Sequence, residues 1–242
     1  MTKPLPIKLG HEPIVAAALE LRGIGAVPLH TVLPGVFRSA FAGEELATTP
    51  VQPNEVMVPL GQSGPKLRLA WRGYDILVGD DLISMNIGLK YPGWTQYRAD
   101  ALVAIAAVID QGALSSLFRY GIKYVNFFEK KTPLKDILNW SLQLGSNLIS
   151  EENLQLRVER QVGELRSIVA VVTEAIVRKG GSADRAGCIL DIDTVCLVPN
   201  VDIQEFRASL GERLDAVRLL NKQVFFDLIT EQQLATLEPT YA

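Results

Sequence analysis

Residues 117–129 read LFRYGIKYVNFFE, and this stretch decides the fold of the chain. Apolar side chains alternate in it with polar or small ones, and a period of two residues is that of a β-strand. Aromatic and β-branched residues also suit a pleated, half-buried surface. We therefore predict a central strand of a sheet. Its aromatic-rich face would contain Phe118, Tyr120, Ile122, Tyr124 and Phe128.

Two positions interrupt the pattern of this strand. Gly121 leaves a gap between the cations of Arg119 and Lys123, and Asn126 interrupts the aromatic face. A glycine within a strand often marks the close approach of a ligand or another backbone, so Arg119, Gly121 and Lys123 are a candidate anion-binding face. The alternative is that both cations are solvated or pair with acids on a neighbouring strand. We favour the alternative, because exposed charge on a strand needs no further cause.

The composition limits the class of protein. With 242 residues, 48% of them hydrophobic, the chain can bury a core as one large domain or as two small ones. A formal charge of −3 gives no general attraction to phosphate backbones, so contact with nucleic acid would need a local basic patch. The N-terminal residues contain no apolar signal region, and no uncharged apolar run reaches the length of a membrane span. We expect a cytoplasmic protein without membrane association.

The cysteines and histidines indicate neither a disulfide nor a metal centre. Cys188 and Cys196 lie on one predicted strand, on the order of 26 Å apart at the rise of a β-strand, which is outside disulfide reach. We expect both to be reduced core residues. Only His11 and His30 are present, and no CxxC pair occurs, so the usual zinc frameworks are missing. The sequence therefore predicts no cofactor.

The remaining patterns predict an α+β fold. Prolines and glycines recur between residues 23 and 65, so regular structure there should be short, with a helical turn or two around residues 36–46. A segment of this length is a candidate binding loop or a cover over a sheet face. A short amphipathic segment is expected from 132 to 144. The predicted strands are 14–22, 67–71, 74–78, 82–89, 154–162, 165–177 and 188–198, and the predicted long helices are 94–111 and 202–228. For 14–22 and for 165–177 a helix is the alternative.

The order of these elements suggests two layers. Each half of the chain contains an antiparallel meander followed by a long helix, so we expect two sheet-plus-helix halves, 1–112 and 113–242, which are similar to each other. The alternative is one continuous domain.

Two acids on one predicted strand form the most chemically suggestive pair. Asp191 and Asp193 would share a face about 6.6 to 7 Å apart, a spacing at which two carboxylates can share a divalent cation or divide acid and base roles. The rival interpretation, which we favour, is cross-strand pairing with Arg119 and Lys123, which lie on one face of their own strand.

The segment 178–187, RKGGSADRAG, adds three cations near two glycines. A phosphate-binding loop would need GxxxxGK[ST] leading into a helix, whereas a strand is expected to follow here. We therefore predict a hairpin loop. Its cations, Arg178, Lys179 and Arg185, are candidate binding residues.

The order of four features resembles a sporadically distributed bacterial family of uncharacterised proteins that is catalogued by number. The features are residues 13–15 (PIV) followed by 19–22 (LELR); 91–94 (YPGW) ahead of a helix; 119–126 (RYGIKYVN); and 190–193 (LDID) followed by a helix that ends in 225–230 (FFDLIT). The resemblance covers most of the chain, and residues 119–126 are its most specific part. The Pro-rich segment and Asn221-Lys222 are less typical of the family. It implies a bacterial, cytoplasmic, accessory protein from a mobile or defence-linked locus.

The sequence leaves three hypotheses for function. The first is a non-enzymatic interaction protein that binds a protein partner, such as a neutralising partner in a toxin–antitoxin type locus. The second is a nucleic-acid or nucleotide binder that uses Arg119, Lys123, Arg178, Lys179 and Arg185. The third is a metal-dependent enzyme at Asp191 and Asp193. Homo-oligomerisation is left open in all three.

Overall fold

The computed structural model describes residues 4–52, 63–129, 133–149, 153–177 and 184–241, apart from the side chains of residues 199 and 200. Strands and helices alternate in groups, and the fold is α+β with antiparallel meanders, as predicted. None of the described helices combines the length and the apolar character that crossing a membrane requires.

The strands are numbered in chain order. The predicted strand at 14–22 is present and extends to Ile24, and the predicted strand at 188–198 is longer at both ends. The strands are β1 (Lys8–Leu9), β2 (Ile14–Ile24), β3 (Leu46–Pro50), β4 (Leu67–Trp71), β5 (Tyr74–Val78), β6 (Leu82–Ile87), β7 (Ser116–Glu129), β8 (Leu142–Leu144), β9 (Asn147–Ile149), β10 (Gln155–Val162), β11 (Leu165–Val177), β12 (Arg185–Asp202) and β13 (Pro239–Thr240).

The two predicted long helices are confirmed. The second begins after Asp202, whose carboxylate accepts hydrogen bonds from the backbone N–H groups of Gln204 and Glu205. These are the donors that a helix leaves without intrahelical partners at its start, so Asp202 stabilises this end. The helices are α1 (Leu29–Ala40), α2 (Trp94–Asp110), α3 (Leu134–Ile137), α4 (Ile203–Leu228) and α5 (Glu231–Thr236).

The stretch at 117–129 lies inside the main sheet, as predicted. Among the described residues this sheet has the strand order β10-β11-β12-β7-β2-β6-β5-β4-β3, which gives β7 a neighbour on both sides. Tyr120, Ile122 and Tyr124 are all buried, in keeping with the aromatic face expected for β7.

The contacts divide the chain into two compact units. Unit 1 comprises the described residues within 1–15, 123–194 and 218–242, and unit 2 comprises those within 16–122 and 195–217. Each unit combines stretches that are distant in the chain, whereas the expected halves 1–112 and 113–242 are each continuous.

The core of unit 1 lies between β12 and the chain's last helices. Leu190 and Ile192 are fully buried there, and the cluster includes Phe128, Ile137, Leu138, Phe225 and Ile229. The core of unit 2 is built on aromatic residues: Phe37, Phe41, Trp71, Tyr74 and Tyr97 form a chain of ring contacts.

Two expectations about local structure are wrong. The helix expected around residues 36–46 lies earlier, at 29–40. Leu29, Leu33 and Phe37 repeat at intervals of four and are fully buried, and this burial maintains the helix through Pro34. Of the predicted amphipathic segment 132–144, residue 132 lies outside the described residues, and the rest is helical only over the single turn of α3. It is followed by the β8–β9 hairpin, which turns at Gly145, where φ is 61°.

Candidate functional site

Lys123 and Asp191 form one of the expected cross-strand pairs. The Lys123 Nζ lies 2.7 Å from the Asp191 Oδ2. The other carboxylate oxygen, Oδ1, is buried and has no hydrogen-bond partner among the described residues. Burial raises the pKa of the Asp191 carboxyl, and the charges of Lys123 and Arg157 oppose this rise. Asp193 lies two residues further along β12 and is half-buried.

Arg119 and Gly121 lie in unit 2. The Arg119 guanidinium forms an ion pair with Glu20, which also accepts a hydrogen bond from the Arg22 Nε at 3.0 Å. Gly121 is buried. Because Arg119 and Lys123 both have acidic partners on other strands, their contacts match pairing better than an anion-binding face.

The three cations expected near the glycines of 178–187 are only partly described. Arg185 belongs to β12, where its guanidinium pairs with Glu129 at 2.8 Å and lies 5.1 Å from the centroid of the Phe127 ring. Arg178 and Lys179 lie outside the described residues, as do residues 53–62 of the Pro-rich segment.

Asn126 leads to a site that was not expected. It is 3% exposed, and its Nδ2 donates a hydrogen bond to the Leu190 carbonyl at 3.1 Å. Together with Tyr124 it lines an open recess with a cavity volume of about 60 Å³, which lies wholly within unit 1. Among the predicted binding residues that the structure describes, Asn126 alone lines this recess.

The C-terminal half of α4 supplies one side of the recess. Its lining residues recur at intervals of three and four, which places them on one face of the helix. Asn221 is buried, and its Nδ2 donates to the Ile192 carbonyl at 2.8 Å and to the Thr194 Oγ1 at 3.2 Å, so this face is anchored to β12. The helix residues that line the recess are Arg218, Asn221, Lys222, Phe225 and Phe226.

The segment 6–14 supplies the facing side. β1 is paired with β13, and the backbone N–H of Gly10 donates to the Glu238 carbonyl at 3.0 Å. At the other end of the segment, the Pro13 carbonyl accepts a hydrogen bond from the Phe127 N–H at 2.9 Å. The segment has little regular structure of its own, so these backbone hydrogen bonds hold it in place. It contributes Pro6, Ile7, Lys8, Leu9, Glu12, Pro13 and Ile14 to the lining.

The recess has an excess of positive charge. Among the residues that the structure describes, three cations, Lys8, Arg218 and Lys222, line it together with a single carboxylate, that of Glu12. Within the described part of the chain, none of these four side chains forms an ion pair. The Arg218 guanidinium instead lies over the Tyr124 ring, 4.8 Å from its centroid, and its buried Nε–H has no hydrogen-bond acceptor among the described residues.

The pKa values of two groups reflect this environment. Burial lowers the pKa of the Lys222 ammonium, and the nearby charge of Arg218 lowers it further. Burial raises the pKa of the Glu12 carboxyl, and the charges of Arg218 and Lys8 only partly oppose this. Both groups are therefore shifted toward their neutral forms, which is the result expected where charge is removed from water without a close partner of opposite sign.

Chemically, the recess matches an anion that carries an apolar group. Guanidinium and ammonium groups donate charge-assisted hydrogen bonds to carboxylate or phosphate oxygens. The aromatic and aliphatic lining, which includes Phe225 and Phe226, offers contact to a ring or an alkyl chain. Such a combination of an apolar lining with a few convergent polar groups is typical of small-molecule sites.

The sequence contained one signal for this site. Arg218, Asn221 and Lys222 lie near the end of α4, on a helix whose other inward positions are apolar. Polar residues on an inward helix face need partners or a ligand. The contribution of residues 6–14 could not have been read from periodicity, because the segment is mostly irregular.

Within the described residues, no three His, Cys, Asp or Glu side chains lie close enough together to hold a metal ion. The metal-dependent enzyme at Asp191 and Asp193 stays a prediction.

A scan against protein-family models and a search of curated proteins both find no match to this chain.

Proposed function

We propose that the protein is a non-enzymatic binding protein whose recess in unit 1 takes a small organic anion, a carboxylate or phosphate monoester that carries an aromatic or aliphatic group. The observation that carries the proposal is the buried Arg218 Nε–H, which has no acceptor among the described residues, in a recess that the Lys222 ammonium also lines without an ion pair among those residues. Leaving a buried donor without an acceptor costs about 1–3 kcal/mol, and an anionic ligand would supply the acceptor.

The apolar lining indicates that the ligand carries an apolar group in addition to its anionic group. An inorganic anion would satisfy the cations but would leave the apolar part of the lining, which includes the half-buried Phe226, without a ligand group to cover it. Burial of an aromatic ring on such a surface contributes on the order of 25 cal/mol per Å² of apolar area. We therefore expect a ligand with both groups to bind more tightly than either group alone.

Calorimetric titration tests this expectation with three probes: phenyl phosphate, inorganic phosphate and phenol. We expect measurable binding of phenyl phosphate, weaker binding of inorganic phosphate, and none of phenol. Equal dissociation constants for phenyl phosphate and inorganic phosphate would show that the ligand does not use the apolar lining. No binding of either phosphate at millimolar concentration would contradict the proposal.

A second candidate function is the binding of a protein partner. Leu144 and Leu148 on the β8–β9 hairpin are 73% and 67% exposed, which is unusual for large aliphatic side chains. A partner would cover them, as the accessory role implied by the bacterial resemblance requires. Affinity purification from the native host should return a stoichiometric partner that the Leu144→Ser, Leu148→Ser variant does not retain. Recovery of no stoichiometric partner by the unmodified protein would count against this candidate.

A further inference from the structure

The strand β10 has a free edge. In the order of the main sheet it is the terminal strand, and within the described residues it pairs with β11 alone. Its register with β11 is continuous from Gln155 to Val162 and contains no bulge. Seven of its eight residues are exposed, among them Val158 and Val162 at 47% and 41%.

This edge has few of the features that usually prevent strand pairing. Natural edge strands are commonly short, or carry charged side chains, a proline or a bulge. β10 carries charged side chains, Arg157, Glu159 and Arg160, but they are of both signs. The opposite terminal strand, β3, has five residues and ends in Pro50. β10 has eight residues, QLRVERQV, with no proline, glycine or lysine. Its backbone N–H and C=O groups on the free side are therefore open to another strand.

The charges of β10 are complementary to those of a second copy. In a symmetric antiparallel pair of identical strands, one residue lies opposite itself, and its neighbours lie opposite each other. Within one copy, Arg157 pairs with Glu159 of the same strand. With Val158 at the centre of the dimer, Arg157 of each copy also lies opposite Glu159 of the other, so the four charges alternate in sign. The same register places Val158 against Val158 and Gln155 against Gln161.

The adjacent symmetric registers are unfavourable. Centring the pair on Arg157 places two guanidinium groups directly opposite each other, and centring it on Glu159 does the same for two carboxylates. Like charges directly opposite each other destabilise an antiparallel pair, whereas opposite charges contribute about 0.2–1 kcal/mol. Charge thus selects the register centred on Val158.

We propose that two copies of this chain associate through β10, edge to edge and antiparallel, in the register centred on Val158. A contact of two short strands buries less than the roughly 1,200–2,000 Å² of a stable interface. The dimer is therefore a reversible one, populated at high micromolar protein concentration.

Charge reversal gives a direct test by sedimentation velocity. The Arg157→Glu variant carries two acids at the contact and the Glu159→Arg variant carries two bases, so each should be monomeric where the wild type dimerises. An equimolar mixture restores both opposite-charge pairs, and we expect it to form a heterodimer at least as strongly as the wild type dimerises.

The matched control is Arg185→Gln, which removes a charge from β12, two strands away from β10, where Arg185 pairs with Glu129. It should dimerise like the wild type. Circular dichroism of each variant checks that the fold is retained. The proposal is overturned if the wild type is monomeric at high micromolar concentration, if either single variant still dimerises, or if the mixture stays monomeric.

Discussion

The guanidinium of Arg218 lies against the face of the Tyr124 ring, with 4.8 Å between its central carbon and the ring centroid. The face of an aromatic ring attracts a cation, but it does not accept the hydrogen bonds that a guanidinium donates in its own plane. Tyr124 therefore positions Arg218 without neutralising it. This is the opposite of the arrangement at Lys123, whose charge is matched by Asp191.

The first prediction concerns Arg218. Replacing it with alanine removes a charged donor from the recess, and hydrogen bonds to charged groups contribute about 1.5–3 kcal/mol. We expect Arg218→Ala to weaken phenyl phosphate binding by about 10- to 100-fold in calorimetric titration. The matched control is Arg207→Ala, on the same helix but paired with Asp110 in unit 2, which should bind the probe like the wild type. Equal losses in both variants would contradict a specific role of Arg218.

The second prediction concerns pH. The lowered pKa of Lys222 means that its ammonium loses its proton earlier than usual as pH rises. The raised pKa of Glu12 means that its carboxyl stays neutral to a higher pH than usual, so the recess is most positive on the acidic side. We therefore expect the affinity for phenylacetate to fall as pH rises, first as Glu12 ionises and again as Lys222 is neutralised.

Two variants separate these contributions. Glu12→Gln should remove the acidic part of the pH dependence, and Lys222→Met should remove the alkaline part and lower the affinity at neutral pH. Phenylacetate suits the alkaline part of this measurement because its carboxylate keeps one charge over the range in which Lys222 titrates. Benzenesulfonate is measured in parallel on the acidic side, because its sulfonate stays ionised while Glu12 titrates. An affinity that is constant over the whole range would contradict the roles of both groups.

The third prediction concerns the pair of Lys123 and Asp191. The pKa of Asp191 is raised in the folded state, so its contribution to stability is fully present below the unfolded pKa and is lost as pH rises through the folded value. Lys123→Met removes the ammonium that offsets burial of the carboxylate. We expect this variant to lose about 1–3 kcal/mol of unfolding free energy at neutral pH, and less at low pH.

The double variant identifies the cause. Asn at position 191 has the shape of the carboxyl group but no charge, so Lys123→Met, Asp191→Asn should regain most of the stability that Lys123→Met loses. Urea unfolding of the wild type, both single variants and the double variant completes the cycle. A double variant as unstable as Lys123→Met would show that lost packing, and not an unpaired carboxylate, is responsible.

The fourth prediction concerns Asp100 on α2, which is 6% exposed. It accepts hydrogen bonds from Arg72 Nη1 at 3.0 Å, Tyr74 Oη at 2.9 Å and Gln96 Nε2 at 2.8 Å. Burial alone would raise the pKa of this carboxyl, but the three donors together lower it. Its contribution to stability is therefore present above the unfolded pKa and is lost as pH falls.

In Asp100→Asn an NH₂ group replaces one carboxylate oxygen. This donor then faces the donor groups of Arg72, Tyr74 or Gln96. We expect it to cost about 1–3 kcal/mol in urea unfolding at neutral pH and to reduce the loss of stability on acidification. Asp110→Asn is the control, because Asp110 is on the same helix but more than half exposed, and it should change stability by less than about 0.5 kcal/mol. Equal effects of the two substitutions would contradict the importance of the buried hydrogen bonds.

The sequence predicted the fold better than the site, and the reason is physical. The interior position of β7 follows from a period of two residues, and the start of α4 follows from the acceptor at Asp202; both are local signals. The recess combines residues 6–14 with the end of α4, more than 200 positions apart in the chain. Only tertiary structure brings these together, so the sequence identified Asn126 without its neighbours.

The difference between local sequence signals and long-range packing also explains the errors in the predicted local structure. Pro34 is unfavourable inside a helix, but burial of Leu29, Leu33 and Phe37 outweighs its cost. The pairing of Lys123 with Asp191 was predicted because two-residue spacings on neighbouring strands match, whereas the Arg119 pair with Glu20 depends on strand order, which the sequence did not reveal.

The pairing of β1 with β13 has a consequence for synthesis of the protein. The ribosome adds residues 239–240 more than 200 positions after residues 8–9, so this side of the recess lacks its anchoring strand until residues 239–240 have been synthesised. We therefore expect the proposed anion to bind only chains in which β13 is already present.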